Sequence, residues 1–287
     1  AVGEAFDSED YVFELKLDGE RCVAYLDPKT GVDLLNKRHV KMLPKVPELA
    51  DMHRHVRHKC ILDGELFVLV EGKPDFAAIQ RRSLMRNSFK IELAAKQFPA
   101  SFVAFDILYD KDKPVMDKPL TERKKLLQQV VKAENDRFAV SRSVEGQGTA
   151  LYKLAAQQSL EGVVAKRKDS LYKQGKRTKD WIKIKNMQDD DFVVCGWIPK
   201  ENHMTSLVLG QYRGDALFYK GHVTLGVHGK PFTRIQQTKR LNHPPFDVPA
   251  GNEDAVWLEP VLVCVVEYMY KNENGGLRHP VFKGLRE

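Results

Sequence analysis

Two short segments of this chain alternate apolar and charged residues, and they constrain the fold more than any other feature. Residues 13–18 read Phe-Glu-Leu-Lys-Leu-Asp, and residues 181–185 read Trp-Ile-Lys-Ile-Lys. Period-two alternation is typical of a β-strand with one buried face, so we predict that Lys16 shares a strand face with two carboxylates. Lys183 and Lys185 should share a face of a second strand. Three lysines facing one cleft would suit a polyphosphate ligand, and one of them could act as a nucleophile.

Positive charge is concentrated in one part of the chain. Residues 166–185 contain nine basic and two acidic residues, an excess equal to the net charge of +7 of the whole sequence. Such a basic run indicates a polyanionic partner. We predict that four of its side chains, Lys168, Lys173, Lys176 and Arg177, contact this partner.

The four cysteines are far apart and do not form a Cys-x-x-Cys pair, which argues against a zinc ribbon and a redox motif. We expect buried free thiols in a reducing, cytoplasmic protein. His53, His55 and His58 invite a metal interpretation, but their spacing suits neither one helical face nor a known ligand pattern. No apolar run approaches the length that spans a bilayer.

The pattern of elements predicts an α+β domain over residues 1–187, with a largely antiparallel sheet, because strands do not strictly alternate with helices. The predicted strands are Tyr11–Leu17, Arg21–Leu26, Cys60–Leu69, Ser101–Leu108 and Gly162–Lys166, and the predicted helices are Leu120–Val131 and Thr149–Leu160.

The polar, acidic segment Asn186–Asp191 is a plausible hinge, after which residues 188–287 are predicted to form an all-β domain of the OB fold. Its predicted elements are the strands Phe192–Trp197, Ser206–Tyr212, Ala216–Val223 and Val261–Tyr270 and one helix, Phe232–Leu241. Turn signals at Arg213-Gly214-Asp215 and Asn274-Gly275-Gly276 separate these strands.

Lys16-Leu17-Asp18-Gly19 is a weak motif alone, because a strand ending in an Asp-Gly turn is a common hairpin signal. Further motifs follow in order, however, and together they resemble those of ATP-dependent DNA ligases, most closely the ligase domain of bacterial end-joining ligases (the ligase D and ligase C type). The similarity covers nearly the whole chain. The motifs are Asp63-Gly64-Glu65, residues 102–109, Glu161 to Lys166, Tyr172 to Arg177, Trp181 to Lys185, Trp257 to Pro260, and Leu277 to Glu287.

The resemblance implies a role for each of several side chains. Lys16 would attack the α-phosphate of ATP to form a lysyl-adenylate, and nearby positive charge would favour its neutral, nucleophilic form. Phe105 would stack on adenine. The remaining implied contacts are Glu14 to the base, Arg21 and Arg38 to ribose or phosphate, Lys166, Lys183 and Lys185 to the nucleotide, and Glu65 and Glu161 to Mg²⁺ (or Mn²⁺) or the ribose.

Simpler interpretations stand beside these roles. Phe105 has apolar neighbours and could be a core residue. Glu65 follows an Asp-Gly pair and could be a solvated turn residue. Lys166, Arg167 and Lys168 could form an exposed basic run.

The resemblance implies a monomeric enzyme that seals nicked or broken duplex DNA in three steps, with the second domain rotating about the hinge. A Ku-type end-binding protein, or fused polymerase or nuclease domains, are possible partners. Related ligases continue with Asp-Lys after the position of Glu287, so we expect a chain that ends at Glu287 to adenylate poorly yet to seal a pre-adenylated nick. Alternatives are an RNA ligase, an mRNA-capping guanylyltransferase, or a non-catalytic DNA-binding module.

Overall fold

A computed structural model describes residues 2–176, 178–271 and 275–286. The chain divides into two compact units, of which the first ends at Asn186 and the second begins at Met187. The domain boundary predicted after residue 187 lies one residue from this division. Within the described ranges, every helix is too short or too polar to cross a bilayer.

The first unit contains two largely antiparallel sheets and four α-helices among its described residues. The helices are α1 (Phe76–Leu84), α2 (Ser88–Gln97), α3 (Leu120–Val130) and α4 (Gly148–Gln157). The strands are β1 (Ser8–Leu15), β2 (Glu20–Asp27), β3 (Gly31–Asn36), β4 (Cys60–Val70), β5 (Lys73–Pro74), β6 (Ala100–Asp110), β7 (Lys113–Pro114), β8 (Phe138–Val140), β9 (Ser143–Gly146), β10 (Gly162–Arg167) and β11 (Trp181–Lys185).

The larger sheet has the strand order β3-β2-β4-β6-β7, with β5 paired to β4 and β8 paired to β6. All of its pairs are antiparallel except β6 with β8. Buried Leu62, Leu66, Phe102 and Ile107 contribute to the core of this part of the unit, and α1 and α3 pack on β4 and β6. The smaller sheet has the order β11-β10-β1-β9, and α4 packs on it.

Helices α1 and α2 are not among the elements predicted from the sequence. Each begins at a side-chain cap, since Asp75 accepts from the Ala78 N–H and Asn87 accepts from the Lys90 N–H. Arg82, which is almost fully buried, holds the two helices together by donating to Glu48 and to the carbonyls of Lys45, Ala94 and Phe98.

The predicted strands and helices of this unit are present, with shifted ends. The strand predicted to reach Leu17 ends at Leu15, because the chain turns toward the Asp18-Gly19 pair before the alternation is complete. The helix predicted over Thr149–Leu160 ends at Gln157, since Ser159 has a left-handed backbone conformation (φ +55°).

The second unit is a five-stranded antiparallel sheet with the order β14-β13-β12-β15-β16. Its elements are β12 (Gln188–Pro199), β13 (Thr205–Arg213), β14 (Ala216–Val223), α5 (Gly229–Gln236), β15 (Val256–Tyr268) and β16 (Val281–Leu285). A parallel bridge between Leu225 and Val281 joins the end of β14 to β16, so the two edges of the sheet meet and close it into the predicted OB barrel. The helix begins earlier than predicted, because Pro231 suits its first turn.

The predicted hinge at Asn186–Asp191 is wrong for most of its length. Residues 188–191 belong to β12 and pair with β15. Two of their charges are compensated by residues from elsewhere in the unit, because Asp190 pairs with Lys271 and accepts from Tyr268, and Asp191 pairs with Arg286. Local acidity is therefore a poor indicator of a loop here. The turn predicted at Gly214 is confirmed by its positive φ (+59°), while Asn274 lies outside the described residues.

All four cysteines are buried and free, as predicted. Burial raises the pKa of each thiol, to about 12 for Cys60, Cys195 and Cys264. The three histidines predicted not to form a metal site have separate partners, since His53 contacts the Ala50 carbonyl, His55 contacts Asn135 and His58 contacts Asp110.

Candidate active site

Lys16 lies directly after β1 and is tied to the start of β10. Its backbone N–H donates to the carbonyl of Gly162 (2.9 Å), and its amine forms an ion pair with Glu161. Gly162 has φ +134°, and a Cβ at this position would lie 2.1 Å from the Ile184 carbonyl oxygen. Only glycine therefore lets strands β10 and β11 approach closely enough to hold Lys16 and Glu161 together.

A second glycine fixes the turn after the lysine. A Cβ on Gly19 would lie 2.5 Å from the carbonyl oxygen of Leu66, so residue 19 must lack a side chain for the turn to rest on β4. Asp18 is buried in this turn. The Lys-x-Asp-Gly motif thus lies where the smaller and the larger sheet of the first unit come into close contact.

Glu65 and Glu161 are two carboxyl groups that interact electrostatically with the charge of Lys16. Burial raises the pKa of Glu65 to about 8; the Lys16 charge opposes this shift and the Glu161 charge adds to it. Burial also raises the pKa of Glu161, against the opposing effect of Lys16. Burial therefore makes both carboxylates costly to ionise, and a bound divalent cation would offset that cost.

The donor set fits Mg²⁺ in part. Carboxylate oxygens suit this ion, but in the described parts of the chain no group of three or more histidine, cysteine, aspartate or glutamate side chains could enclose a metal. Mg²⁺ commonly keeps waters and binds through one or two carboxylates plus substrate phosphates. Glu65 and Glu161 match that mode, with the remaining ligands coming from outside the protein.

An inner cavity lies beside Lys16. Apolar side chains such as Val103 and Val164 line part of it. Seven of the predicted site residues also line it: Glu14, Lys16, Arg21, Glu65, Phe105, Lys166 and Lys183. The amine of Lys166 lies 4.5 Å from the ring centroid of Phe105 and 4.2 Å from that of Trp181. Phe105 and Trp181 meet edge to face, with centroids 5.9 Å apart. An aromatic face beside charged groups is a suitable surface for a flat heterocycle.

Glu14 is buried at the edge of the inner cavity between two lysines. Lys166 approaches one carboxylate oxygen (3.0 Å), and Lys124 from α3 pairs with the other. Burial opposes ionisation, but the charges and hydrogen bonds of Lys166 and Lys124 outweigh it and hold the pKa of Glu14 below its usual value. Glu14 is therefore an ionised, acceptor-only group facing the cavity. Burial lowers the pKa of Lys166.

Arg21 is fixed by Asp63 on β4 and by Tyr172 in the segment between β10 and β11. Its guanidinium donates to both carboxylate oxygens of Asp63 (2.9 and 2.5 Å) and to the Tyr172 hydroxyl (2.9 Å). It also lies 5.6 Å from the ring centroid of Phe105. A bidentate arginine pair of this kind sets direction as well as charge.

A wider depression of about 590 Å³ adjoins the inner cavity. We call it the basic depression, because the ionisable lining residues that the structure describes include six cations and no carboxylate: Arg21, Lys37, Lys173, Lys176, Lys183 and Lys185. Burial, the charge of Lys16 and neighbouring cations lower the pKa of Lys183. Since Arg21 and Lys183 line both spaces, an anion in the depression would be continuous with a ligand in the cavity.

The other predicted site residues lie elsewhere. Arg38 is exposed in the turn after β3 and lines neither space, whereas its neighbour Lys37 lines the basic depression. Lys168 pairs with Glu145 (2.6 Å) and also lies outside the depression. Arg177 lies outside the described residues.

Sequence reasoning missed three residues that contact the candidate site. The sequence presents Asp63 only as part of an Asp-Gly-Glu motif, yet this residue is fully buried and orients Arg21. The motif around Tyr172 marks the family without assigning the tyrosine a role. Lys124 has exposed Lys125 as its neighbour on an amphipathic helix, and nothing local distinguishes the two lysines; only the fold brings one of them to Glu14.

Comparison with protein families gives two matches in order. The model for the ATP dependent DNA ligase domain matches residues 2–185, and the model for the ATP dependent DNA ligase C terminal region matches residues 200–287. The first match alone covers more than half of the chain.

Individual relatives agree. The SPbeta prophage-derived DNA ligase-like protein LigB of Bacillus subtilis is 28% identical over 100% of this chain and 96% of its own length. The multifunctional non-homologous end joining DNA repair protein LigD of Mycobacterium tuberculosis is 28% identical over 97% of this chain, which spans only 36% of that protein. A DNA ligase of Thermococcus onnurineus is 33% identical over 96% of this chain and 51% of its own length.

Solved structures give the same answer. The crystal structure of the ligase domain of M. tuberculosis LigD aligns with a TM-score of 0.57 and 25% identity, covering 100% of this chain and 93% of that chain. A mycobacterial ligase D complexed with ATP aligns equally well. The matches extend through both units in the same order, and the chain therefore belongs to the ATP-dependent DNA ligases, which seal nicks in DNA.

Proposed function

We propose that Lys16 is the nucleophile of this ligase and that the inner cavity holds the adenosine of ATP. The observation that carries the proposal is the position of the Lys16 amine. It contacts Glu161 and lines the inner cavity beside Glu65, and neighbouring Lys183 lines both the cavity and the basic depression. A nucleotide with its base in the cavity could thus direct its phosphates toward the lysines.

In the first step, the Lys16 nitrogen attacks the α-phosphorus of ATP. A nitrogen–phosphorus bond forms, the bond from that phosphorus to the oxygen bridging to the β-phosphate breaks, and pyrophosphate leaves. Lys16 must lose a proton, and Glu161 is placed to accept it because its carboxylate contacts the amine. Lys183 and Lys185 would stabilise the charge that develops on the phosphates.

Glu65 and Glu161 are the proposed Mg²⁺ ligands. The bound ion would supply charge neutralisation on the phosphate oxygens. The two residues supply oxygen ligands whose burial makes them costly to ionise without a cation.

The basic depression is the proposed binding surface for the phosphates of nicked DNA. Lys173 and Lys176 line it together with Arg21 and Lys37, and Arg177 follows directly in the sequence. In the second step, the 5′-phosphate at the nick would attack the lysyl-bound AMP and displace Lys16. In the third, the 3′-hydroxyl would attack that 5′-phosphate, forming the phosphodiester and releasing AMP. Phosphate contacts carry little sequence preference and weaken with salt.

The proposed cellular role is end joining in DNA repair. Support comes from the match to LigD, whose name describes a multifunctional non-homologous end joining protein and of which this chain matches about a third. A Ku-type end-binding protein and polymerase or nuclease domains are the corresponding proposed partners. We propose a monomer that acts in the cytoplasm at the nucleoid.

The test is the intact mass of the protein after incubation with ATP and Mg²⁺. Wild type should gain one adenylyl group, and pyrophosphate should remove it. Lys16→Ala should gain nothing. Lys29→Ala, at an exposed lysine in the turn after β2, is the matched control and should behave as wild type.

Adenylylation of Lys16→Ala would overturn the assignment of the nucleophile. If no variant is adenylylated and wild type also fails to seal a pre-adenylated nick, the proposed reaction is wrong. Stimulation of blunt-end joining, but not of nick sealing, by a Ku-type protein would support the cellular role.

A further inference from the structure

Tyr172 joins the two parts of the site. Its hydroxyl donates to Asp63 (2.7 Å) and accepts from the Arg21 guanidinium (2.9 Å), so a single oxygen completes the support of Arg21. Asp63 is fully buried, and Arg21 reaches both the inner cavity and the basic depression.

Tyr172 is also the anchor of the segment that carries the basic side chains. Its backbone N–H donates to the Met116 carbonyl (2.9 Å), and its ring meets Trp181 edge to face with centroids 6.3 Å apart. The next residues are exposed, and Lys173 and Lys176 among them line the basic depression. The position of these lysines therefore depends on how Tyr172 is held.

Buried Arg123 contacts the ring of Tyr172 and the backbone that precedes it. Its guanidinium lies 5.9 Å from the Tyr172 ring centroid and donates to the carbonyl of Ser170, two residues earlier in the chain. Arg123 is itself held by both carboxylate oxygens of Asp106, which follows Phe105. Asp106, Arg123 and Tyr172 thus form a continuous series of contacts. The series connects Phe105, which lines the inner cavity, with the lysines that line the basic depression.

We propose that Tyr172 is a positioning residue that couples the nucleotide cavity to the phosphate-binding segment, setting the affinity for nicked DNA through Arg21 and the lysines that follow it. This inference rests on the proposed function of the basic depression. It assigns Tyr172 no chemistry of its own, because its hydroxyl is occupied by Asp63 and Arg21.

The test is Tyr172→Phe, which keeps the ring and removes both hydrogen bonds. We expect the KM for a pre-adenylated nick to rise about tenfold, because the two hydrogen bonds that are lost both involve charged groups and one of them supports Arg21. The kcat for sealing and the rate of Lys16 adenylylation should change less than about twofold, because Asp63 still holds Arg21 through two bonds. The slope of log affinity against log salt should fall by about 0.9 for each DNA phosphate that the variant no longer binds.

Tyr25→Phe, at an exposed tyrosine on β2 of the same unit, is the matched control and should leave all these quantities unchanged. A double-mutant cycle with Arg21→Lys separates positioning from packing. If Tyr172 acts through Arg21, the double variant should bind DNA no more than about twofold worse than the weaker-binding single variant.

Three outcomes would overturn the inference. They are an unchanged KM and salt slope in Tyr172→Phe, an equal loss of adenylylation and sealing, or effects that multiply in the double variant. Failure of the proposed function would look different, because wild type would then neither gain an adenylyl group nor seal the pre-adenylated nick.

Discussion

Lys124→Met tests the buried cluster around Glu14. The substitution removes the amine that pairs with one carboxylate oxygen and leaves Lys166 on the other. The side chain of Lys124 is only 12% exposed, so the lost interaction is largely protected from water. A hydrogen bond to a charged group contributes about 1.5–3 kcal/mol, less than the 3–5 kcal/mol typical when a buried charge loses its only partner.

That loss should be visible as a lower melting temperature. In a unit of this size, about 1 kcal/mol shifts Tm by about 2–4 °C, so we expect a decrease of about 3–12 °C. The sign with pH follows from Glu14, whose pKa is lowered in the folded state from an ordinary value of 4.5. Such a group stabilises the fold above pH 4.5, and this contribution is lost as pH falls through the folded-state pKa. The difference between wild type and variant should therefore be full at pH 7 and shrink below about pH 4.5.

Differential scanning calorimetry against pH is the measurement, with the KM for ATP in adenylylation as a second readout. The KM should rise, because Glu14 faces the inner cavity and would be less firmly held as an ionised acceptor. Lys125→Met, at the exposed neighbour on α3, is the control. A Lys124→Met protein with the Tm and the KM of Lys125→Met would refute the view that Lys124 holds Glu14.

Two other substitutions test the supports of the site. Gly162→Ala should destabilise the first unit and slow adenylylation, because its Cβ would meet the Ile184 carbonyl at 2.1 Å; Gly31→Ala, also at positive φ (+114°) but with no atom within 4 Å of its Cβ, separates this clash from backbone strain. Equal losses in the two variants would contradict the close-approach explanation. Arg123→Met should cost about 3–5 kcal/mol at pH 7 by leaving Asp106 buried and unpaired, and less at lower pH, because burial raises the pKa of Asp106 and protonation removes its charge. A loss that does not depend on pH, measured by denaturant unfolding beside Lys125→Met, would count against unpaired charge as the cause.

The sequence is informative where local pattern and three-dimensional surroundings agree. The alternation in residues 181–185 corresponds to β11, where Ile184 is buried and Lys183 is exposed. The alternation in residues 14–18 is misleading, because Glu14 and Asp18 are more buried than Leu15 and Leu17. Solvent exposure does not follow side-chain polarity where a cavity is built from charges.

The partners of the site residues could not be predicted from the sequence. Glu14 and Lys124 are separated by 110 positions, and Arg21 and Tyr172 by 151, so their contacts depend on how the sheets assemble. The acidic run at residues 188–191 illustrates the same limit, since its counter-charges lie about 80–95 positions further along the chain. Motifs indicated the groups that we propose for the chemistry, and the fold supplied the groups that hold them.

The four inaccessible thiols make this ligase convenient for site-specific labelling. A thiol that is buried, and whose pKa is far above neutral, reacts slowly with maleimides, because the thiolate is the reactive form. One cysteine introduced at an exposed position in each unit could therefore carry a fluorophore while the native cysteines stay in place. Energy transfer between the two dyes would then follow the distance between the units during each step of a single turnover.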